Sequence, residues 1–286
     1  MKVTKAVVLA AGLGTRVLPA TKAIPKEMFP IVDKPAIQYV VEELAAAGIT
    51  DIALIISRGK TAIADHFDRS PDLEAALSAK GQDETLNSVV SISRLANIVC
   101  IRQPFPKGTA DAVLKAETFV GNEPFAVVYA DDIYIGSQSA TGELCSAFEE
   151  RGLGAVAIDE FTADTIHKYS SLAVSPLGQR RYSVTDMVEK PSPSEVLSLF
   201  GVAGRCVLPS KAMAMLKDVK PGRNGEAYVT DTMRELARSD GMTGVVCKAR
   251  RYDMGSPLGV MKATVETALA HEVIGEEFRK WLNTII

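Results

Sequence analysis

Four fixed cations and a run of small residues crowd one stretch of this sequence. From Leu9 to Pro35 it reads LAAGLGTRVLPATKAIPKEMFPIVDKP, with Arg16, Lys22, Lys26 and Lys34 beside the small residues Ala10, Ala11, Gly12 and Gly14. Cations beside a turn whose backbone N–H groups can approach a ligand form a cradle for a polyphosphate. The glycines are not those of a dinucleotide-binding helix, because the third glycine position holds Val17 and Pro19, Pro25, Pro30 and Pro35 would break the helix. No Gly-Lys-Ser/Thr follows at the required spacing, which excludes a Walker A loop. The spacing leaves an extended loop stiffened by proline.

Carboxylates close a later apolar run, FAVVYADD, at Asp131 and Asp132. The end of a buried strand is where an open α/β sheet places its ligand crevice, and hard oxygen donors beside a phosphate cradle suit Mg2+. Farther along, Glu189 and Lys190 sit in YSVTDMVEKP. On an ideal strand neighbouring side chains point to opposite faces, so the pair serves one site only if Pro191 breaks that geometry. The three histidines, His66, His167 and His271, match no ligand or triad spacing. Four cysteines, Cys100, Cys145, Cys206 and Cys247, stand singly with no C-x-x-C, and are read as buried, reduced thiols in a cytoplasmic protein.

The whole string from Leu9 resembles the L-A-A-G-x-G-T-R-x-x-P-x-T-x-x-x-P-K-x-x signature of sugar-phosphate nucleotidyltransferases. Its longer form, GLGTRVLPATKAIPKEMFPIVDKPAIQYVVEE, is similar in particular to bacterial UTP:glucose-1-phosphate uridylyltransferases (UDP-glucose pyrophosphorylases). Gln103 with Pro104 and Gly108, Asp131, VEKP (188–191), GEAYVTDTM (225–233) and RYDMGSPLG (251–259) extend the resemblance in order over most of the chain. The resemblance implies that Arg16 and Lys26 hold a nucleoside triphosphate and that Lys190 neutralises the phosphate of a sugar 1-phosphate. It implies Mg2+ on Asp131 and Asp253, sugar contacts from Glu189 and Ser170, and substrate contacts from Ala10, Ala11, Gly12, Gly14, Glu27 and Asp132. Gln103 would meet a pyrimidine edge, accepting from uracil N3–H and donating to a carbonyl beside it, with Gly108 letting the backbone approach the base.

Two departures bear on substrate. Gly108-Thr109-Ala110-Asp111-Ala112 stands where these uridylyltransferases usually carry Leu-Gly-His-Ala, and is more like the element of ADP-glucose pyrophosphorylases. Tyr169-Ser170 replaces their usual Tyr-Gly. The reaction expected is transfer from UTP to glucose 1-phosphate, giving UDP-glucose and pyrophosphate. Thymidylyl or adenylyl transfer to another sugar 1-phosphate stays open, as does a non-catalytic nucleotide-sugar-binding protein.

The elements that must position these residues follow from periodicity. Apolar runs at 6–10, 51–57, 97–103, 125–132 and 154–161 have the length of strands buried on both faces. The stretches Ala36 to Ala47 and Thr109 to Phe119 are long enough for crossover helices. That alternation predicts an α/β, mostly parallel, doubly wound sheet. Beyond 165 the pattern loosens: 169–176 and 182–190 read as an antiparallel pair around Gly178, followed by strands at 201–209 and 244–253 and helices at 257–271 and 272–283. With the resemblance, the expectation is a Rossmann-like, glycosyltransferase-A-like mixed sheet with a small antiparallel sugar-binding subregion. It forms a single domain over 1–286, with nucleotide-binding (1–165), sugar-phosphate-binding (166–256) and C-terminal helical (257–286) parts.

The chain has 286 residues, 47% hydrophobic and 23% charged, a composition of folded enzymes rather than disordered or fibrous chains. With 32 basic and 35 acidic residues its net charge is -3, so no global field draws it to nucleic acid or an anionic membrane. No apolar run is long enough for a membrane span. The family usually forms dimers or tetramers, which implies a homo-oligomer, with the terminal segment around Phe278 and Trp281 as a candidate interface.

Overall fold

The computed structural model describes residues 1–222 and 225–285. In chain order, β1 (Lys5–Ala10) leads into three 3-10 turns (Thr15–Val17, Ala20–Lys22, Lys26–Met28) and a short hairpin, β2 (Pro30–Ile31) and β3 (Lys34–Pro35). There follow α1 (Ala36–Ala46), β4 (Asp51–Ile56), α2 (Thr61–Phe67), α3 (Pro71–Ala79), α4 (Asp83–Ile92) and β5 (Asn97–Arg102). The middle of the chain forms α5 (Thr109–Leu114), α6 (Glu117–Val120), β6 (Phe125–Tyr129), β7 (Asp132–Ile135), α7 (Ala140–Arg151) and β8 (Ala155–Glu160). The second half forms β9 (Ser170–Gly178), β10 (Arg181–Glu189), β11 (Phe200–Leu208), α8 (Ala212–Asp218), α9 (Val229–Ser239), β12 (Met242–Val245), β13 (Arg250–Asp253), α10 (Pro257–Ala270) and α11 (Gly275–Leu282).

Nine strands make one sheet in the order β5-β4-β1-β6-β11-β8-β12-β10-β9. The first four run parallel, as the β/α alternation predicts. From β11 onward the sheet is mixed: β11 is antiparallel to β6 and β8, β12 is parallel to β8, and β9 and β10 form the expected antiparallel pair. That pair continues the main sheet rather than forming a separate layer.

Period-2 alternation divides the core. Ala6, Val8, Ile52, Leu54, Ala126 and Val128 face α1, α2, α7 and α10. Val7, Ala53, Ile55, Phe125 and Val127 face α5, α8 and α9. Burying each Val, Ile or Phe contributes roughly 1.5–3 kcal/mol, which fixes the register, because a one-residue slip would exchange the two faces.

Several expectations are corrected. The Leu9–Pro35 loop is not extended but folds into the successive 3-10 turns. The 97–103 run is not buried on both faces: β5 is an edge strand, Val99 is 43% exposed and Cys100 is exposed rather than a buried thiol. The 109–119 stretch is two short helices, not one. The 244–253 run divides into β12 and β13. Lys248 N–H donates at 2.8 Å to the Glu143 carboxylate instead of to a strand, and β13 leaves to pair with β7 over the site.

The C-terminal end of β6 is held from behind by a buried ion pair. Arg205, on β11 and fully buried, donates from Nε to Glu43 Oε2 of α1 at 3.3 Å and from a guanidinium nitrogen to the Tyr129 carbonyl at 3.1 Å. Glu43 also accepts from Ser139 Oγ at 2.8 Å and from Thr141 N–H at 2.5 Å, and so caps α7. Removing one partner strands the other charge, so Glu43→Gln should cost about 3–5 kcal/mol in urea unfolding. Glu43→Leu with Arg205→Met should recover part of that loss. A single variant as stable as the wild type would show that the pair does not hold the strand end.

Candidate active site

At the end of β6 the sheet opens. The chain turns at Ala130 and Asp131, and β7 leaves to pair with β13, so that Asp132 lies opposite Asp253. Arg16, Asp131, Asp132, Ser170, Glu189, Lys190 and Asp253 are thereby brought around one cavity of about 480 Å3, the size of a small-molecule site.

Cations of this chain neutralise the carboxylates. Lys26 Nζ forms a close ion pair with Asp131 Oδ2. Arg16 spans two of them, 3.8 Å from Asp131 Oδ2 and 3.3 Å from Asp253 Oδ2. Burial opposes the charge of Asp131, but Lys26 and Arg16 outweigh it and hold the carboxyl below its usual range. Burial likewise works against the Lys26 ammonium, and Asp131 more than compensates, so its pKa is raised. Asp132 is paired with Arg251 at 2.5 Å. Burial pushes its carboxyl up to about 6; Arg251 pulls it down, while Asp131 and Asp253 add to the rise. Gly204, at φ +70°, makes room for it, since a Cβ there would lie 2.3 Å from Asp132 Oδ2.

Glu189 and Lys190 do serve one site, though Pro191 is not what turns them. Lys190 itself takes a left-handed conformation, φ 45°, and its N–H donates to the Tyr169 carbonyl at 2.8 Å. Its ammonium donates to the Tyr228 hydroxyl at 3.1 Å and lies over that ring. Glu189 accepts from Thr230 Oγ1 at 2.8 Å, and burial raises its pKa against that hydrogen bond. Ser170 is buried opposite Glu189 in the β9–β10 register.

Other expected residues lie elsewhere. Glu27 has no free face toward a substrate: its side chain is fully buried and both oxygens accept from Lys60 Nζ at 2.8 Å, which also donates to the Ala10 carbonyl at 2.6 Å. Ala11 is buried, whereas Gly12 is exposed near Lys26. Gly14 is left-handed and its carbonyl accepts from Thr21 Oγ1 at 2.8 Å. Lys34 pairs with Glu42 at 2.8 Å and is not part of the cavity lining. Gln103 and Gly108 also stand outside that lining. The donor of Gln103 is already engaged, to the Gly108 carbonyl at 3.1 Å and to Asp111 Oδ2 at 2.8 Å, so it is not available for a base carbonyl. Gly108, at φ +101°, is required by a backbone crossing, since a Cβ would lie 2.3 Å from the Ala227 carbonyl oxygen.

Arg251, Thr230, Tyr129, Lys168 and Lys60 do not stand out in the sequence. Only Arg251 carries a legible signal: it precedes Asp253 by two on one strand, so both face the same way. Its guanidinium lies over the Tyr169 and Phe161 rings, which stack at 4.0 Å.

A strand-end crevice lined by paired carboxylates and fixed cations defines a site for transfer of phosphorylated groups, and the chain matches the nucleotidyl transferase family model over residues 5–268. A UTP–glucose-1-phosphate uridylyltransferase of Bacillus subtilis is 45% identical over 285 residues, covering 100% of this chain and 96% of that protein. Among solved structures, a UTP-bound UGPase from Acinetobacter baumannii superposes with a TM-score of 0.90 at 33% identity, covering 98% of each chain. A UDP-glucose pyrophosphorylase complexed with UDP-glucose superposes at 0.83 with 37% identity, over 93% of this chain and 98% of that one. The chain is a nucleotidyltransferase and belongs to the UTP–glucose-1-phosphate uridylyltransferase family. No helix among the described residues is long and apolar enough to cross a membrane.

The wall that carries Glu189 and Lys190 is tied to α9, which bears Thr230, through Asp186 of β10. Arg238 donates to it at 2.9 and 2.8 Å and Arg234 at 2.9 Å. Arg238, then Arg234, hold the Asp186 carboxyl well below its usual range against a smaller desolvation cost. A carboxyl with a depressed folded pKa contributes stability above its unfolded pKa, and that stability is lost as pH falls toward the folded value. Asp186→Asn should therefore cost about 1–2 kcal/mol at pH 7, with the gap from wild type closing below about pH 3. Urea titrations at both pH values check this, and a gap independent of pH would contradict it.

Proposed function

We propose that the chain transfers the uridylyl group of UTP to glucose 1-phosphate, releasing pyrophosphate and forming UDP-glucose. The observation that carries this reading is the convergence of Arg16 and Lys190 with Asp131 and Asp253 on one strand-end cavity, with Lys26, outside the lining, paired to Asp131. The names of the full-length relatives support the choice of base and sugar.

Two anions must meet, and the cations are placed accordingly. An oxygen of the sugar 1-phosphate attacks the α-phosphorus in line. A new P–O bond forms, the bond to the bridging oxygen breaks, and pyrophosphate leaves with that electron pair. The attacking phosphate is already anionic at neutral pH, so no general base is required. Catalysis is positioning and charge neutralisation. Arg16 and Lys26, now on carboxylates, would turn to the triphosphate. Lys190, between Tyr228 and the open cavity, would hold the incoming phosphate, and Glu189 would accept from sugar hydroxyls.

Asp131 and Asp253 lie close enough to share one guanidinium and offer only oxygen donors, which fits a hard dication. When bound, Mg2+ on these two carboxylates would supply charge neutralisation at the α-phosphate.

Pyrophosphate release with Mg2+, measured for UTP, dTTP, ATP, GTP and CTP against glucose, galactose and mannose 1-phosphates, tests the reading. UTP with glucose 1-phosphate should be the fastest pair, and Asp131→Asn should fold normally with turnover reduced about 100-fold or more. Preference for another pair would replace the substrates, and nucleotide binding without turnover would favour a non-catalytic binding protein.

We further propose a homodimer or homotetramer. Leu258, Met261, Val273 and Trp281 are each more than half exposed on and between the terminal helices α10 and α11, which supports an interface there. Light scattering should give the mass of two or four chains, and a monomer at micromolar concentration would refute the assembly.

A further inference from the structure

The Gln103 carboxamide has a fixed orientation, and its fixing group is Asp111. A carboxamide offers two N–H donors at one end and a carbonyl acceptor at the other, and packing alone seldom decides which end faces a ligand. Here Gln103 is 6% exposed, and its Nε2 donates both to the Gly108 carbonyl at 3.1 Å and to Asp111 Oδ2 at 2.8 Å. Turning the amide over would set its oxygen against two acceptors, one of them a carboxylate. Asp111 is held in turn by Lys115, 2.9 Å from its other oxygen. The Gln103 oxygen accepts no hydrogen bond among the described residues, and it is not among the buried polar atoms that lack a partner, so it is open to a ligand.

We propose that Asp111 is a positioning residue for base selection. By consuming both amide protons of Gln103 together with the Gly108 carbonyl, it leaves that side chain an acceptor only. This rests on the reading of the chain as a uridylyltransferase in which Gln103 meets the base, and it deepens that reading. An acceptor in this place pairs with a ring N–H, which uracil and thymine carry at N3. Cytosine presents a lone pair at N3 and is repelled. The departure at Gly108 to Ala112 is then the device that sets the polarity of Gln103, and the aspartate in it favours the N3–H of uracil or thymine over the N3 lone pair of cytosine.

The test compares affinities by calorimetry for UTP, dTTP and CTP in the wild type, in Asp111→Lys, which is donor-only and draws the Gln103 oxygen away from the base, and in Asp111→Ala, which removes the acceptor. The Asp111 side chain is 20% exposed, so neither change opens the core. The wild type should bind UTP and dTTP more tightly than CTP. The UTP-to-CTP affinity ratio should narrow about tenfold or more in Asp111→Lys and by less in Asp111→Ala, with the UTP-to-dTTP ratio unchanged. Equal weakening of all three nucleotides, as from a merely structural role, would overturn the proposal, and so would a ratio unchanged in both variants. Because affinity is read directly, a protein that binds nucleotide but releases no pyrophosphate would refute the proposed function, while its affinity ratios would still support or overturn the role of Asp111.

Discussion

Three carboxylates sit at one strand end, and the structure is organised around keeping them there. Asp131, Asp132 and Asp253 come together because β7 pairs with β13 immediately beyond the sheet. Unit charges 4 Å apart repel by about 4 kcal/mol at an effective dielectric of 20, so the cluster holds only if it is neutralised locally. Lys26 and Arg16 reach in from the N-terminal loop and Arg251 from β13 itself. These ion pairs draw the first 26 residues and the last strand onto the same strand end. The price is a carboxyl at Asp132 pushed up to about 6 by burial, with Arg251 opposing the rise.

Behind the cluster, buried ion pairs brace the strand ends. Arg205 and Glu43 tie β11, α1, α7 and the Tyr129 carbonyl into one buried network, and Lys60 with Glu27 does the same under the end of β1. In front, Arg16 and Lys190 line the open cavity. Charge gathered ahead of the reaction suits one that asks for positioning more than for proton transfer, because Arg16 and Lys26 would only exchange carboxylate partners for phosphate oxygens when the phosphates arrive.

Much of the fold was legible. The apolar runs at 6–10, 51–57 and 125–132 became parallel strands because their period and length leave no other way to bury both faces. The pair around Gly178 formed because its flanks alternate. What failed has a common cause in long-range pairing. Sequence does not say that β5 lies at an edge, so Cys100 and Val99 read as core. Nor does it say that the run at 244–253 must divide, since the diverting acceptor, Glu143, lies more than a hundred residues away.

For the site, the sequence by itself determined which residue types were available and in what order: the cations of the loop, the aspartates closing β6, the Glu-Lys pair, and Asp253 two positions beyond Arg251. Those are local properties of composition and spacing. Only the tertiary structure decided which of them meet. It sealed Glu27 under Lys60, set Gln103 against Asp111, turned Lys190 into the cavity through its own backbone, and made Arg251 the counter-ion of Asp132. The reason is physical: a charged side chain finds its partner through space, and the partner's identity depends on strand register and burial, which no single stretch of sequence contains.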